Sequence, residues 1–310
     1  YEIGVRLVGS EMCIRDSRKI DYKINENDTG KTVEGFLKER GYTHQVLVSL
    51  KQTDHGILRN GIWAYTNERL CKDDLITVQI VENECSDNIA PVNLPLDIAY
   101  EDDDIIVINK PFDMPAHPSA GNHDNTLANA LMYYYGSQNK PFVYRCINRL
   151  DRDTTGLTIV AKHALAGGIL GNAVAKRAIH RTYYAVCSGC TPACMRISAP
   201  IARKDASTIE RCVDFKRGEN AVTDFIRIKY NPDNNLSLVK LRLLTGRTHQ
   251  IRVHMKYIGF PLIGDFLYNP DYTYISRQAL HSGRLVFTHP VTGQKMNLIS
   301  DIPSDMKSLF

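Results

Sequence analysis

Short β-type runs, spaced by charged or proline-pinned loops, constrain this chain more than any other feature. Ile105-Ile106-Val107-Ile108 and Leu157-Thr158-Ile159-Val160-Ala161 are apolar and too brief for stable helices, so they read as core strands. Arg181-Thr182-Tyr183-Tyr184-Ala185-Val186 is a further β-rich run. Ala221 to Tyr230 and Leu236 to Leu244 alternate, and the turn-like Asn231-Pro232-Asp233-Asn234 between them makes them neighbours. Helical signals are fewer. Asn125-Thr126 caps a stretch whose apolar face holds Leu127, Ala130, Leu131 and Tyr134, Ala164 to Ala178 is alanine-rich, and Thr248 caps a stretch with Ile251, Met255 and Ile258 on one face. Many short strands with few helices give an α+β fold, a mixed, largely antiparallel sheet flanked by helices.

The N-terminal portion has its own pattern. Val33, Phe36 and Leu37 share a helical face that Gly41 ends, and Val46, Leu47 and Leu50 mark a second short helix. Ile57-Leu58-Arg59 then meets the hairpin dipeptide Asn60-Gly61, and Leu75 to Val81 closes a small α/β unit. A polar stretch with two prolines follows, which sets the expected division: a small domain over 19–84, a linker over 85–96, and a larger domain over 97–310. Residues 1–18 have neither the basic start nor the apolar segment of a signal peptide. Val5 to Ser17 resembles a translated sequencing-adapter fragment, so 1–18 is expected to be a non-native or disordered leader.

A formal net charge of +4 permits a polyanionic partner without demanding one. Eight cysteines scattered over 310 residues suggest a reducing, cytoplasmic setting. Cys187, Cys190 and Cys194 have metal-like spacing but no obvious fourth ligand, so no metal is expected. No apolar run of about 18 residues is present to span a membrane.

Chemistry concentrates where Arg149-Leu150-Asp151-Arg152-Asp153 runs into the strand at Leu157. A carboxylate at the mouth of a strand, flanked by guanidinium groups, suits a nucleophile or an electrostatic catalyst; the same residue types also make ordinary surface ion pairs. Arg247, His249, Gln250 and Arg252 gather at a strand-to-helix junction, which favours anions.

Longer patterns decide between these readings. Asn148-Arg149-Leu150-Asp151-Arg152-Asp153-Thr154-Thr155-Gly156-Leu157 resembles the His-Arg-Leu-Asp-x-x-Thr-Ser/Thr-Gly signature of the RluA/RluD-like large-subunit ribosomal pseudouridine synthases, with Asn148 in place of the usual His. Asn109-Lys110-Pro111 with His117-Pro118, the run through Tyr183, and Gly246-Arg247-Thr248-His249-Gln250-Ile251-Arg252-Val253-His254 resemble further segments of that family, over roughly 97–300. The N-terminal unit resembles the S4-like RNA-binding domain that many members carry.

The resemblance implies a pseudouridine synthase fold and an isomerase that needs no cofactor. Asp151 would be the catalytic carboxylate, whether it attacks C1′, attacks C6 or removes a ribose proton. Arg247 would pair with it, Tyr183 would lie against the uracil and receive the C5 proton, and Arg149 would fill the space left by the extruded nucleotide. Asp153 would be a turn-former. RNA contacts would come from Lys110, His249, Gln250 and Arg252, with Lys38 and Arg59 of the S4-like unit on phosphates. Large-subunit ribosomal RNA is the expected partner of a cytoplasmic monomer with no obligate protein partner. A non-catalytic RNA-binding assembly factor is the alternative.

Overall fold

The computed structural model describes residues 16–310, apart from 83, 87, 120 and 206–208. Most of the expected leader, 1–15, therefore lies outside the described residues. Its last part does not: β1 (Asp16–Lys23) takes in Ser17 and Arg18, which pair with Val81 and Ile80. As an edge strand touching one neighbour, it buries Ile20 and leaves a polar sequence elsewhere, so no strand was legible there.

The N-terminal unit continues with α1 (Val33–Glu39), α2 (His44–Gln52), β2 (Ile57–Arg59), β3 (Ile62–Trp63) and β4 (Leu75–Glu82), the strands lying in the antiparallel order β1-β4-β2-β3. Thr32 and Thr43 cap the helices by accepting from the Gly35 and Val46 amides. The expected helical faces pack on Ile76, Val78 and Ile80 of β4. Asn60 (φ 52°) and Gly61 (φ 81°) both take the left-handed conformation that a two-residue hairpin requires.

The larger domain comprises β5 (Ile98–Glu101), β6 (Ile105–Lys110), α3 (Leu127–Gly136), β7 (Arg145–Cys146), β8 (Thr155–Ala161), α4 (Ala164–Ala175), β9 (His180–Ser188), β10 (Cys194–Ser198), β11 (Ile201–Arg203), β12 (Arg211–Val213), β13 (Val222–Asn231), β14 (Leu236–Leu243), α5 (Gln250–Tyr257), β15 (Leu280–Thr288), β16 (Lys295–Ile299) and α6 (Ser304–Lys307). Its main sheet runs β10-β13-β14-β9-β15-β8-β6-β5, with β16 on β15 and β7 on β8. The β15–β8 pair is parallel, and the others are antiparallel, as the α+β reading expects. On α3 the buried tyrosine is Tyr135, not Tyr134; both hydroxyls donate to Glu101 at 2.9 Å.

The expected linker is laid against the larger domain rather than free of it. The Val92 amide donates to Asn129 of α3 at 3.1 Å, the Asn129 side chain donates to Ala90 at 2.7 Å, and Ile89 is buried. The two units also share a core, since Leu165, Ala164 and Ile169 of α4 pack into the N-terminal cluster. Arg18 reaches Asp104 at 2.7 Å and Arg145 reaches Glu82 at 2.8 Å across the same boundary. Among the described residues no helix is long and apolar enough to cross a membrane.

One glycine fixes how the parallel pair meets. Gly156 has φ 105°, and a Cβ there would sit 2.3 Å from the Ser282 carbonyl oxygen of β15. Gly156→Ala should therefore lower stability by about 2–4 kcal/mol, through strain and overpacking together. A urea-unfolding midpoint that does not move would show that β8 and β15 can separate at no cost.

Candidate active site

The loop from Ile147 to Thr154 joins β7 to β8 and is fastened on every side. Asn148, 2% exposed, donates to the Leu157 carbonyl at 3.2 Å and accepts the Ile159 amide at 2.8 Å, so its amide brackets the loop onto β8. Thr158 Oγ1 adds a bond to the Asn148 carbonyl at 2.7 Å. In this chain the position where the signature has His thus serves a backbone clamp, for which a carboxamide offers both donor and acceptor. Further along, the Thr154 amide closes a turn on the Asp151 carbonyl at 3.1 Å, and Gln278 donates to Thr154 Oγ1 at 2.6 Å.

Lys110, expected on RNA, belongs to this scaffold. It is 1% exposed, and its ammonium donates to the Pro111 and Arg152 carbonyls at 2.7 and 2.9 Å. Burial pulls its pKa down to about 7, against the pull of Asp153 and Asp151. Lys110 ends β6 opposite Gly156 of β8, which brings its side chain under the loop that enters β8 rather than into solvent.

The carboxylate of Asp151 is met from α5, and here the structure corrects the expected pairing. Arg252, not Arg247, donates to Asp151, Nη1 to Oδ2 at 3.0 Å. The same guanidinium uses Nε and Nη2 for both oxygens of Asp265, at 2.6 and 2.8 Å, a bidentate grip between side chains 2% and 0% exposed. Burial alone would lower the pKa of Arg252, but the two carboxylates outweigh it and raise it. Arg247 instead pairs with Glu219 and donates from Nε to the Asn220 carbonyl at 3.2 Å. The reason is position: Arg252 lies inside α5, where residues 250–255 are all buried, whereas Arg247 precedes the helix and is exposed.

Two other expected RNA contacts are likewise committed inward. Arg252 is the buried partner just described. Gln250, 2% exposed, accepts from Thr245 Oγ1 and the Arg247 amide at 2.8 and 3.0 Å and donates to Val222 and Thr223. Two of its four bonds tie the start of α5 to β13, and the other two hold the loop that leads into the helix. The cap is not Thr248, which is exposed; His249 occupies that position with φ 58° and no side-chain bond to the helix end. In the N-terminal unit Arg59 pairs with Asp74 at 2.8 Å and Lys38 with Glu34 at 2.6 Å. Asp153 pairs with Arg152 at 3.3 Å.

Arg149, Asp151, Tyr183, Arg247, His249 and Arg252 line one cavity of ≈ 80 Å³. Tyr183, 4% exposed on β9, forms its inner wall beside Leu150 and Leu280. Burial raises the pKa of its hydroxyl, Arg181 opposes, and the charge of Asp151 adds to the rise. The phenol therefore stays protonated at neutral pH.

The cavity opens into a trough of ≈ 1170 Å³ whose wall carries Arg149, Arg152, Arg177, Arg181, Arg211, Arg242 and Arg247, with Asp151 its one acidic residue among those described. Arg149, Arg177 and Arg181 form no ion pair among the described residues, and Arg242, opposite Asp224 across β13 and β14, is within reach of its charge without closing a contact pair. Sequence reasoning missed Arg177, Arg181, Arg211 and Arg242, because they are spread along the chain, just past a helix or within strands, and only folding gathers them. One signal was available: Arg181 and Tyr183 are two apart on β9 and so share a face. A trough with unpaired guanidinium groups around one buried-side carboxylate can hold a phosphodiester chain and present one residue of it to Asp151.

Residues 104–257 match the RNA pseudouridylate synthase family. The Bacillus subtilis protein named uncharacterized RNA pseudouridine synthase YjbO is 38% identical over 281 residues, 90% of this chain and 98% of its own length. Ribosomal large subunit pseudouridine synthase D of Haemophilus influenzae is 38% identical over 304 residues, 93% of each chain. Among solved structures, human RNA pseudouridylate synthase domain containing 1 superposes with a TM-score of 0.56 at 26% identity, covering 67% of this chain and 83% of that one.

Proposed function

The chain belongs to the RluA/RluD-like family of RNA pseudouridine synthases, and on that footing we propose that it isomerises uridine in large-subunit ribosomal RNA with Asp151 as the catalytic carboxylate. The observation that carries the reading is the Asp151 carboxylate at the inner end of a cationic trough, held by Arg252 and sharing a cavity with Tyr183. The name of the Haemophilus relative supports the choice of ribosomal RNA.

The reaction breaks the C1′–N1 bond, turns the uracil and forms C1′–C5, after which the C5 proton leaves and N1, freed from the sugar, takes one up. Atoms balance without an oxidant, reductant or added group. The nucleotide has to leave its stack, at a cost of a few kcal/mol, and exposed Arg149 at the cavity mouth is suited to occupy the gap. Arg252, a fixed cation, holds the carboxylate at one angle, so no reorganisation is needed as charge develops at the sugar. Tyr183 offers a ring face to the uracil. A protonated, buried phenol can move the C5 proton only by passing its own proton on in the same step.

The purified protein should release tritium from ribosomal RNA labelled at uracil C5, and mapping in cells lacking it should show pseudouridine missing from large-subunit RNA. Binding without release would instead favour the assembly-factor reading. The trough makes a second prediction: Arg242→Ala should weaken RNA binding several-fold and reduce the slope of log K against log salt by about 1, as for one lost phosphate contact. An unchanged salt slope would remove Arg242 from the RNA path.

A further inference from the structure

The turn from Asp265 to Asn269 packs against the cavity and carries a second polar chain beside the Asp265–Arg252 grip. Tyr268 is 5% exposed, its hydroxyl oxygen accepts the Arg211 amide at 2.9 Å, and it lies 3.0 Å from His249 Nδ1. A phenol has one proton to give. The oxygen already accepts the Arg211 N–H, and Nδ1 is the one acceptor among the described residues within reach of the buried phenol proton; with that proton on the shared bond, Nδ1 accepts and the proton of the imidazole sits on Nε2. Burial holds the His249 pKa below its ordinary value; Asp151 and Asp265 oppose this, and Arg252 and Arg211 add to it. Tyr268 is pushed up to about 12 by burial and keeps its proton.

The backbone of His249 is arranged for the same end. Its φ of 58° is uncommon for a residue with a side chain, and the conformation caps nothing. With the backbone in that conformation, Nε2 stands 3.8 Å from Asp151 Oδ2. That is too long for a hydrogen bond, so the Nε2–H is uncommitted and lies on the cavity wall with Tyr183 and Arg252.

We propose that His249, fixed by Tyr268 as the Nε2–H tautomer, is a neutral hydrogen-bond donor to an oxygen of the uridine seated beside Asp151, and that Tyr268 is its positioning residue. This rests on Asp151 being the reaction centre. A neutral donor adds directionality without competing with Arg252 for the carboxylate, as a second cation would.

The test uses which nitrogen each amide imitates: the NH₂ of Gln falls near Nε2, that of Asn near Nδ1. In single-turnover tritium release, His249→Gln should exceed His249→Asn by roughly 10-fold or more, the scale of one well-placed hydrogen bond in the transition state. Tyr268→Phe keeps the ring over Arg252, 4.9 Å from its centroid to Cζ, and so should fold. It should slow the His249 protein by roughly 10-fold, yet add little to His249→Gln, because no tautomer is left to fix. Ring ¹⁵N shifts of the full-length protein should show Nε2 protonated and Nδ1 bare in the wild type, with mixed tautomers in Tyr268→Phe. Equal rates for Gln and Asn, an additive Tyr268→Phe effect, or a proton on Nδ1 would each overturn the proposal. If the wild type releases no tritium, the Asp151 reading fails, and the nitrogen shifts still decide the tautomer.

Discussion

Asp151→Asn is expected to release no measurable tritium from C5-labelled RNA while binding the same RNA within a factor of about three. The change is nearly isosteric, and Arg252 can still donate to the amide oxygen, so cavity and trough should persist. What is lost is the negative charge, the one property by which this side chain can act as a nucleophile or an electrostatic catalyst. Removing one member of a unit that works together typically costs about 10⁴-fold or more. Arginines line the trough independently of Asp151, which is why affinity and turnover should separate. Turnover retained in a preparation free of the parent enzyme would exclude Asp151 as the catalytic group.

Arg252→Gln should have the next largest effect, on folding and on rate together. It strips Asp265, with no exposed side-chain surface, of both its guanidinium bonds, and breaking a buried pair costs about 3–5 kcal/mol. It also leaves Asp151 without the cation that aims it. Arg247→Ala removes an exposed pair with Glu219, so its expected loss is in RNA affinity, with the rate of bound RNA nearly intact. Single-turnover rates at saturating protein separate the two, and urea unfolding measures the stability cost. A slow Arg247→Ala beside a fast Arg252→Gln would return the ion-pair role to position 247.

The strands of the larger domain were legible because buried strands announce themselves as brief apolar or alternating runs, and β6, β8, β13 and β14 lie where those runs predict. β1 was not, for an edge strand has one buried face and little apolar sequence to show. Asp151, Tyr183 and Arg149 were identified by motif and do share a cavity. The choice between Arg247 and Arg252 was different in kind. Both stand in one motif, and which of them reaches Asp151 depends on where α5 begins, a boundary that the left-handed conformation of His249 shifts past Thr248. Lys110 and Gln250 show the same limit: a polar residue in a motif announces that it matters, but only packing shows whether it faces solvent or holds a loop.

Helix α4 lends Leu165 and Ile169 to the N-terminal cluster, while Arg177, just beyond its C-terminal end, stands on the trough wall. Swinging the small unit away would uncover those apolar side chains and break the ties of Arg18 to Asp104 and Arg145 to Glu82. The molecule therefore behaves as a caliper with a locked jaw. Under the proposed reading, an RNA that reached both units would have to match one fixed span, and distance along the folded RNA would then help choose the uridine presented to Asp151.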